Sequence, residues 1–436
     1  MENLMAFAKK ESDQVELYSL EQTANRIEFE AAKLNDIQST IESGVTMRLI
    51  KDHKLGFAYT RNLQDGESLV RNALASLKGG VEARFDFPAS VNPPGIRAYD
   101  ERIKEARNTV IVDECRRIYS RLEGKTKGQI DVTALTGANR IGIMNSAGAD
   151  LSAMNSYYSI TVNILYPGTA TGIHRTLVSK AFQSVDDGFL EGIVELYNSG
   201  AKELNVRGGK MPAVFMPESM YALIWRLQSA TSGESLYHKQ SPLAGRLGET
   251  IFEEKLTIVN DPLDDTKPGA RIFDDEGVTC TKFPIIDRGV LKNFYYDLCY
   301  ASKMGTAPTG HGFKTSRWSG ETISMRPSCA LEHLTIEPGD TEFWQLVRSV
   351  ERGIIVCGTL GAHSGNIPNG DFSIGLSPGL FVEKGAIVGR IKDAMIAGNI
   401  YEVLKRVRGI ENRVHPAYTG YYPAVLFDDI SVATEN

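Results

Sequence analysis

The chain has 436 residues, 42% of them hydrophobic and 23% charged, with a net charge of −6; this is the profile of a folded protein long enough for two domains. The acidic balance and the lack of any basic run longer than RLEGKTKG or LKRVRG argue against nucleic acid as the partner. Five cysteines, an odd number with no CxxC spacing, argue against a disulfide framework, and with no apolar run of about 18 residues and no apolar leader the expected location is cytoplasmic.

The predicted elements follow in chain order. A short N-terminal helix precedes strands at QVELYSLEQT and RIEFEAAKL. GVTMRLIKD and LGFAYTRN flank His53-Lys54 as a hairpin, since apolar and polar residues alternate. QDGESLVRNALASLKGG reads as a helix with Leu69, Ala73, Leu74 and Leu77 on one face and Gly79-Gly80 as its stop. DFPASVNPPG, residues 86–95, is a proline-rich linker. A long helix is expected from about Asp100, with Ile103, Ala106, Val110, Cys115, Ile118 and Leu122 at helical spacing. Strands including RIGIMN and YYSITVNIL come next, joined by turns such as Ser146-Ala147-Gly148, and then a helix over 187–204. NVRGGKMP, near residue 208, marks the expected boundary between an N-terminal domain (1–207) and a C-terminal domain (208–436).

The second half is rich in turns and strands. Helices are expected at YALIWRLQSA, at DTEFWQLVRSVERG with Asp340 as N-cap, and at NIYEVLKRV, where Asn399 and Glu402 stand close to a capping box. LFVEKGAIVG predicts a hairpin turning at Lys384-Gly385. The fold class is therefore α+β: an N-terminal domain of antiparallel strands and long helices, and a β-rich C-terminal domain, barrel-like or sandwich-like.

Several motifs fail on inspection. GLSPG, residues 375–379, has the spacing of a nucleophile elbow, but Pro378 follows the serine and has no N–H to stabilise an oxyanion. EGKT, residues 123–126, ends like a phosphate loop, yet a helix precedes it and Tyr119 stands where the first glycine belongs; Gly124 reads as a helix C-cap. Of the histidines, the nearest pair, His311 and His333, is too far apart for one helix to offer both to a metal. The stretch GTLGAHSGNIPNGDFSIGLSPG (358–379) is different. Asn369-Gly370 predicts a hairpin between GIIVCG and DFSIGL, but turns alone do not account for His363, Ser364, Asn366, Asn369 and Asp371 set among such glycines. These five are the candidate site residues.

At this loop the sequence resembles the TldD/PmbA family, once called modulators of DNA gyrase, through EPGD, ERGIIV, HSGN…NGDFS, VEKGAI and AGNI, and also through RIEFEAAKLNDIQSTIESGVTMRLIKDHKLGFAYT. The resemblance spans nearly the whole chain and is weakest over 85–200 and at the extreme C-terminus. It implies a two-domain cytoplasmic protein of a peptidase system. One branch of that family, TldD, carries an H-E-x-x-x-H helix and a later cysteine that hold zinc; the other, PmbA or TldE, lacks them and pairs with a TldD partner. Here the matching helix lies near 224–229, no histidine stands between His174 and His238, and Cys357 is the last cysteine. The resemblance therefore implies a PmbA/TldE-type subunit with no cofactor of its own, zinc in a TldD-type partner, and a shared chamber for unfolded peptides whose wall is the 358–379 loop. The rival reading is a non-enzymatic, homo-oligomeric peptide-binding or regulatory protein; a third is a free-standing hydrolase, which stoichiometric zinc in the chain would revive.

Overall fold

The computed structural model describes residues 1–62, 64–89, 95–315, 320–417 and 420–435, and the counts below refer to these. Part of the expected linker, 90–94, lies outside them. Helix α1 (Glu2–Ala8) leads into strand β1 (Gln14–Glu30), which returns as β2 (Lys33–Lys51). The two expected strands, QVELYSLEQT (14–23) and the start of RIEFEAAKL (26–34), are thus one, and the turn falls at Ala31 and Ala32, whose φ angles are +44° and +73°. Pairing with β2 and β5 runs unbroken through Thr23–Arg26, so the strand does not stop there.

Strands β3 (Lys54–Thr60), β4 (Val81–Glu82), β5 (Gln129–Asn145), β6 (Asp150–Leu165) and β7 (Gly172–Ser179) complete a seven-stranded antiparallel sheet in the order β4-β3-β2-β1-β5-β6-β7. The hairpin expected at His53-Lys54 forms with its turn one residue earlier, at Asp52 and His53, and Lys54 already pairs with Lys51. One face of the sheet carries helices. Leu69, Val70 and Ala73 of α2 (Gly66–Ser76) pack on Leu17, Val45 and Met47. Ile111, Cys115 and Ile118 of α3 (Asn108–Leu122) pack on Ile27, Val132 and Ile160. The expected helix from Asp100 is broken: Glu101–Glu105 is a short 3-10 turn, and the α-helix starts eight residues after Asp100. Gly124, at φ +77°, follows its end as expected. α4 (Asp187–Ser199) stops short of 204, where Gly200 ends it.

The second half is a curled half-barrel sheet. Its strands run, neighbour to neighbour, Thr359–Leu360, Asp371–Leu376, Ala394–Asn399, Val425–Thr434, Gly209–Phe215, Arg352–Val356, Gly379–Glu383, Ala386–Ile391 and Glu203–Leu204. Alternation divides two cores between its faces. Ala213, Phe215, Ile354 and Val356 face the interior of the curl and the nearly buried helix α5 (Pro217–Thr231), whereas Val214, Ile355, Leu380 and Leu426 share a core with α3 and α4. The fold is α+β. A smaller sheet, including Ile258–Asn260 and Leu334–Ile336, closes the other side. The 384–385 hairpin turns where read, with both residues at positive φ. Asp340 is not the cap of the helix after it: Glu342 is, in a capping box with Gln345. Asn399 caps its helix through Tyr401 N, while Glu402 pairs with Lys405 instead of reaching back.

Candidate functional site

The Gly-rich loop does not form the expected hairpin. Asp371–Leu376 pairs with Thr359–Leu360 and Ala394–Asn399, and Arg352–Val356 pairs elsewhere. Only Gly370 of the Asn-Gly pair has positive φ, +83°, and a Cβ there would stand 2.6 Å from the Tyr401 ring. The loop is organised by its own polar groups. Asn366 Oδ1 accepts from Asn369 N (3.3 Å), and Asn399 Nδ2 donates to Asn369 O (2.8 Å) and to Asp371 Oδ1 (2.9 Å). It hangs on one buried cation: Arg226 of α5 donates from Nε to Asp371 O (2.7 Å), from Nη2 to Ser364 O (2.6 Å) and from Nη1 to Ala222 O. The guanidinium is fully buried, and burial holds it below the usual arginine range, at about 10. His363 lies exposed on the same loop. Of the five candidate residues, the structure therefore links Asn366, Asn369 and Asp371 directly, and Ser364 through its carbonyl.

A second concavity lies elsewhere. A cleft of about 620 Å³ separates the first sheet from the second half, and none of the five candidates lines it. Tyr18, Gln22 and Asn139 form one wall, Arg271, Lys314 and the 328–333 segment the other, and Gln228 of α5 closes one end. Of α5, Gln228 lines the cleft, whereas Tyr221 OH accepts from Thr359 Oγ1 (3.1 Å) and Arg226 bonds Ser364 O and Asp371 O of the Gly-rich loop.

Beneath the cleft is a charged core. Arg48 of β2 sits between Glu16 of β1 (2.7 Å) and Glu276 (2.6 Å), all three buried. Asp274 accepts the N–H groups of Glu276, Val278 and Gly312, and Asp275 accepts Lys314 N (2.8 Å) and pairs with Arg271 (2.6 Å). Lys314 Nζ donates to Thr46 Oγ1 and Met325 O, each at 2.9 Å, above the Tyr18 ring; burial draws its pKa down to about 7. At Gly312 a Cβ would lie 2.2 Å from Glu276 Oε2, so only glycine admits this carboxylate. The network ties the first sheet to the 271–314 segment, and sequence reading missed it. Its signal was IFDDEGV, three consecutive acids bracketed by apolar residues rather than set in a polar loop.

Five carboxylates (Glu16, Asp274, Asp275, Glu276, Asp297) face three cations (Arg48, Arg271, Lys314) in this core, so protons are retained. Burial raises Glu16 and Asp297 each to about 7, and Asp274 well above the carboxylate range. Folded values above unfolded ones mean that this stabilisation is complete below about pH 4 and is lost as pH rises through about 7. Thermal melts across that window are expected to show a smaller pH slope for Glu16→Gln than for the wild type; an unchanged slope would show that Glu16 does not titrate there.

For a metal, the donor set is poor. His311 and His333 both bond to Asn260: its amide donates to His311 Nε2 (3.2 Å) and its Oδ1 accepts the backbone N–H of His333 (3.0 Å), while the His333 ring is held at Gly269 O (2.6 Å). Burial keeps both imidazoles neutral, at about 3 and about 4. Among the described residues no group of three His, Cys, Asp or Glu side chains is placed to hold an ion. The 224–229 turn of α5 offers Ile, Trp, Leu, Gln, Ser and the Arg226 guanidinium, whose charge opposes a divalent cation. The residues present do not fit zinc.

The architecture is a curled β half-barrel, an antiparallel sheet with a helix layer, and a cleft between them. The chain belongs to the PmbA/TldD family: residues 208–434 match the PmbA/TldA metallopeptidase C-terminal domain and 15–77 match the PmbA/TldA metallopeptidase domain 1. It is 25% identical to an uncharacterized protein of Methanocaldococcus jannaschii, over 93% of each chain. It is 24% identical to a metalloprotease of Methanothermobacter thermautotrophicus, over 87% of this chain and 83% of that one. In fold it is similar to TldE from Thermococcus kodakarensis, with a TM-score of 0.91, 24% identity and 99% of both chains covered.

Proposed function

We propose that this chain is a PmbA/TldE-type subunit, without a catalytic zinc, of a cytoplasmic peptide-degrading system, built from an N-terminal domain over 1–207 and a C-terminal domain over 208–436. It works with a TldD-type partner that carries the zinc, and the two enclose a chamber for unfolded peptides. The observation that carries this reading is α5. Where the resemblance sets a metal-binding helix, this chain has a buried guanidinium bonded to three backbone carbonyls. When bound in the partner, zinc supplies the activated water. This chain's part is to shape access: the 358–379 loop, with His363, Ser364, Asn366, Asn369 and Asp371, offers hydrogen-bonding groups to extended peptide backbone, and the cleft supplies a second polar wall. No helix among the described residues is long and apolar enough to cross a membrane.

The test mixes the purified chain with a TldD-type protein and follows cleavage of an unfolded peptide. The expected result is a stable complex that cleaves faster than the partner alone. No complex and no gain would sink the proposal, as would stoichiometric zinc in the isolated chain. Self-association with peptide binding, and no effect on the partner, would favour the binding-protein reading.

A further inference from the structure

A cavity of about 470 Å³ lies against α4, and no residue lines both it and the cleft. The seam between β7 and the strand His415–Ala417 separates the two. Arg175 and His415 line the cavity, whereas Val178 and Pro416 line the cleft; odd spacing along each strand puts the members of each pair on opposite faces. The cavity's inner wall is apolar. Ile193, Leu196 and Met216 are buried, and Phe189, Phe343 and Trp344 are half-buried, the last two with ring centroids 5.0 Å apart. α4 also brings Gly192 to this wall. Its φ is not positive, and a Cβ there would meet nothing within 4 Å. Neither strain nor crowding therefore demands glycine, which costs a helix interior about 1 kcal/mol; its absent side chain leaves room in the cavity.

The remaining wall carries charge of both signs with bonds unspent. Arg175 pairs through Nε with Glu218 Oε1 (2.8 Å) and through Nη2 with His415 Nδ1 (3.0 Å). A guanidinium cannot accept, so Nδ1 is the acceptor and the imidazole proton sits on Nε2, 3.1 Å from Glu411 Oε1. Glu411 Oε2 in turn accepts Ala424 N (2.8 Å). The guanidinium is thus held from two sides, and its Nη1 has no partner among the described residues. Asp186 Oδ1 accepts Phe189 N (2.7 Å); its Oδ2 and the exposed Arg413 have no partner among the described residues either.

We propose that this cavity binds a free amino acid with a large apolar or aromatic side chain. The α-carboxylate is taken by Arg175 and Arg413, the α-ammonium by Asp186, and the side chain by the space between Gly192 and the Phe343–Trp344 pair. Charge selects a zwitterion. Arg175 and Arg413 stand beside Asp186 and Glu411, so a molecule of one sign meets repulsion as well as attraction, and one carrying both signs is attracted twice. Volume selects a small molecule, because pockets for such ligands run from about 300 to 1,000 Å³. The inference stands on the cavity alone and does not need the peptidase reading, although peptide hydrolysis releases such molecules.

Calorimetric titration of the isolated chain with L-tryptophan, L-phenylalanine and L-leucine tests it. Saturable binding of at least one is expected, with a dissociation constant of about 1 mM or below. N-acetyl-tryptophan and tryptophan amide each lack one charge and are expected to bind at least roughly 10-fold more weakly. Arg175→Met is expected to weaken binding by a similar factor, but it also strands Glu218. Gly192→Leu avoids that difficulty: it fills the cavity from a helix that favours leucine over glycine. This variant is expected to lose binding with its melting temperature unchanged or raised. No saturable binding of any of the three amino acids overturns the proposal, as does binding that survives Gly192→Leu. Equal binding of the zwitterion and its capped forms, or tighter binding of a peptide capped at both ends, overturns it too.

Discussion

Arg48→Met is expected to cost about 3–5 kcal/mol of folding stability, because it leaves Glu16 and Glu276 buried without their counter-ion. The loss is larger than that of a surface pair because neither carboxylate can reach water: each is about 2% exposed. The loss is not the worth of the ion pair, since ordering and desolvating the three charges already offset much of their attraction. The triple variant Arg48→Met/Glu16→Gln/Glu276→Gln separates the two quantities. With no charge left to strand, it is expected to recover most of the stability in urea titration. If the triple variant is as unstable as Arg48→Met alone, the effect lies in packing beside Phe87, over whose ring the guanidinium sits, and the charge account is wrong.

The fold was legible where periodicity and turn chemistry agree. Leu69 and Ala73 lie on the buried stripe of α2, Asp65 caps it, and Lys384-Gly385 turns its hairpin where glycine after lysine invites positive φ. It was less legible where chain-local rules give way to tertiary pairing. β1 runs through Thr23–Arg26, polar on both faces, because β2 and β5 satisfy its backbone on either side. Asn369-Gly370 carries the strongest short-range hairpin signal in the second half, yet the strands it was expected to join pair with others, since Asp371–Leu376 finds two better partners across the half-barrel. The site showed the same division. The glycines and amides of 361–371 announced an irregular polar loop. Nothing local could announce that its anchor is Arg226, some 140 residues earlier, although one arginine in the apolar run YALIWRLQSA was the available sign. The charged core was hidden for the same reason. Glu16, Arg48 and Glu276 look like surface residues of separate segments until the sheet brings them together.

Arg226→Met is the second large expected effect. Methionine fills much of the space and adds no charge, so the change isolates the hydrogen bonds. The carbonyls of Ser364 and Asp371 lose their donor inside the protein, at a cost of roughly 1–3 kcal/mol each. Ala222 O keeps its place in the helix ladder, so two orphaned acceptors, not three, set the scale. Desolvating the guanidinium works against the native state, as its lowered pKa records, so the net loss falls toward the lower part of roughly 2–6 kcal/mol. What distinguishes a loop anchor from ordinary core packing is where the damage appears. Amide exchange and limited proteolysis are expected to rise first within Gly361–Asp371, while amides of β1 and β5 keep their protection. Arg226→Lys, which retains the charge on a point donor, should restore one carbonyl contact and part of the protection. Because the cation is part of the chain, a chelator should leave the proteolysis pattern of the wild type unchanged. Uniform loss of protection across both halves in Arg226→Met would show that the residue supports the fold at large and does not set the loop.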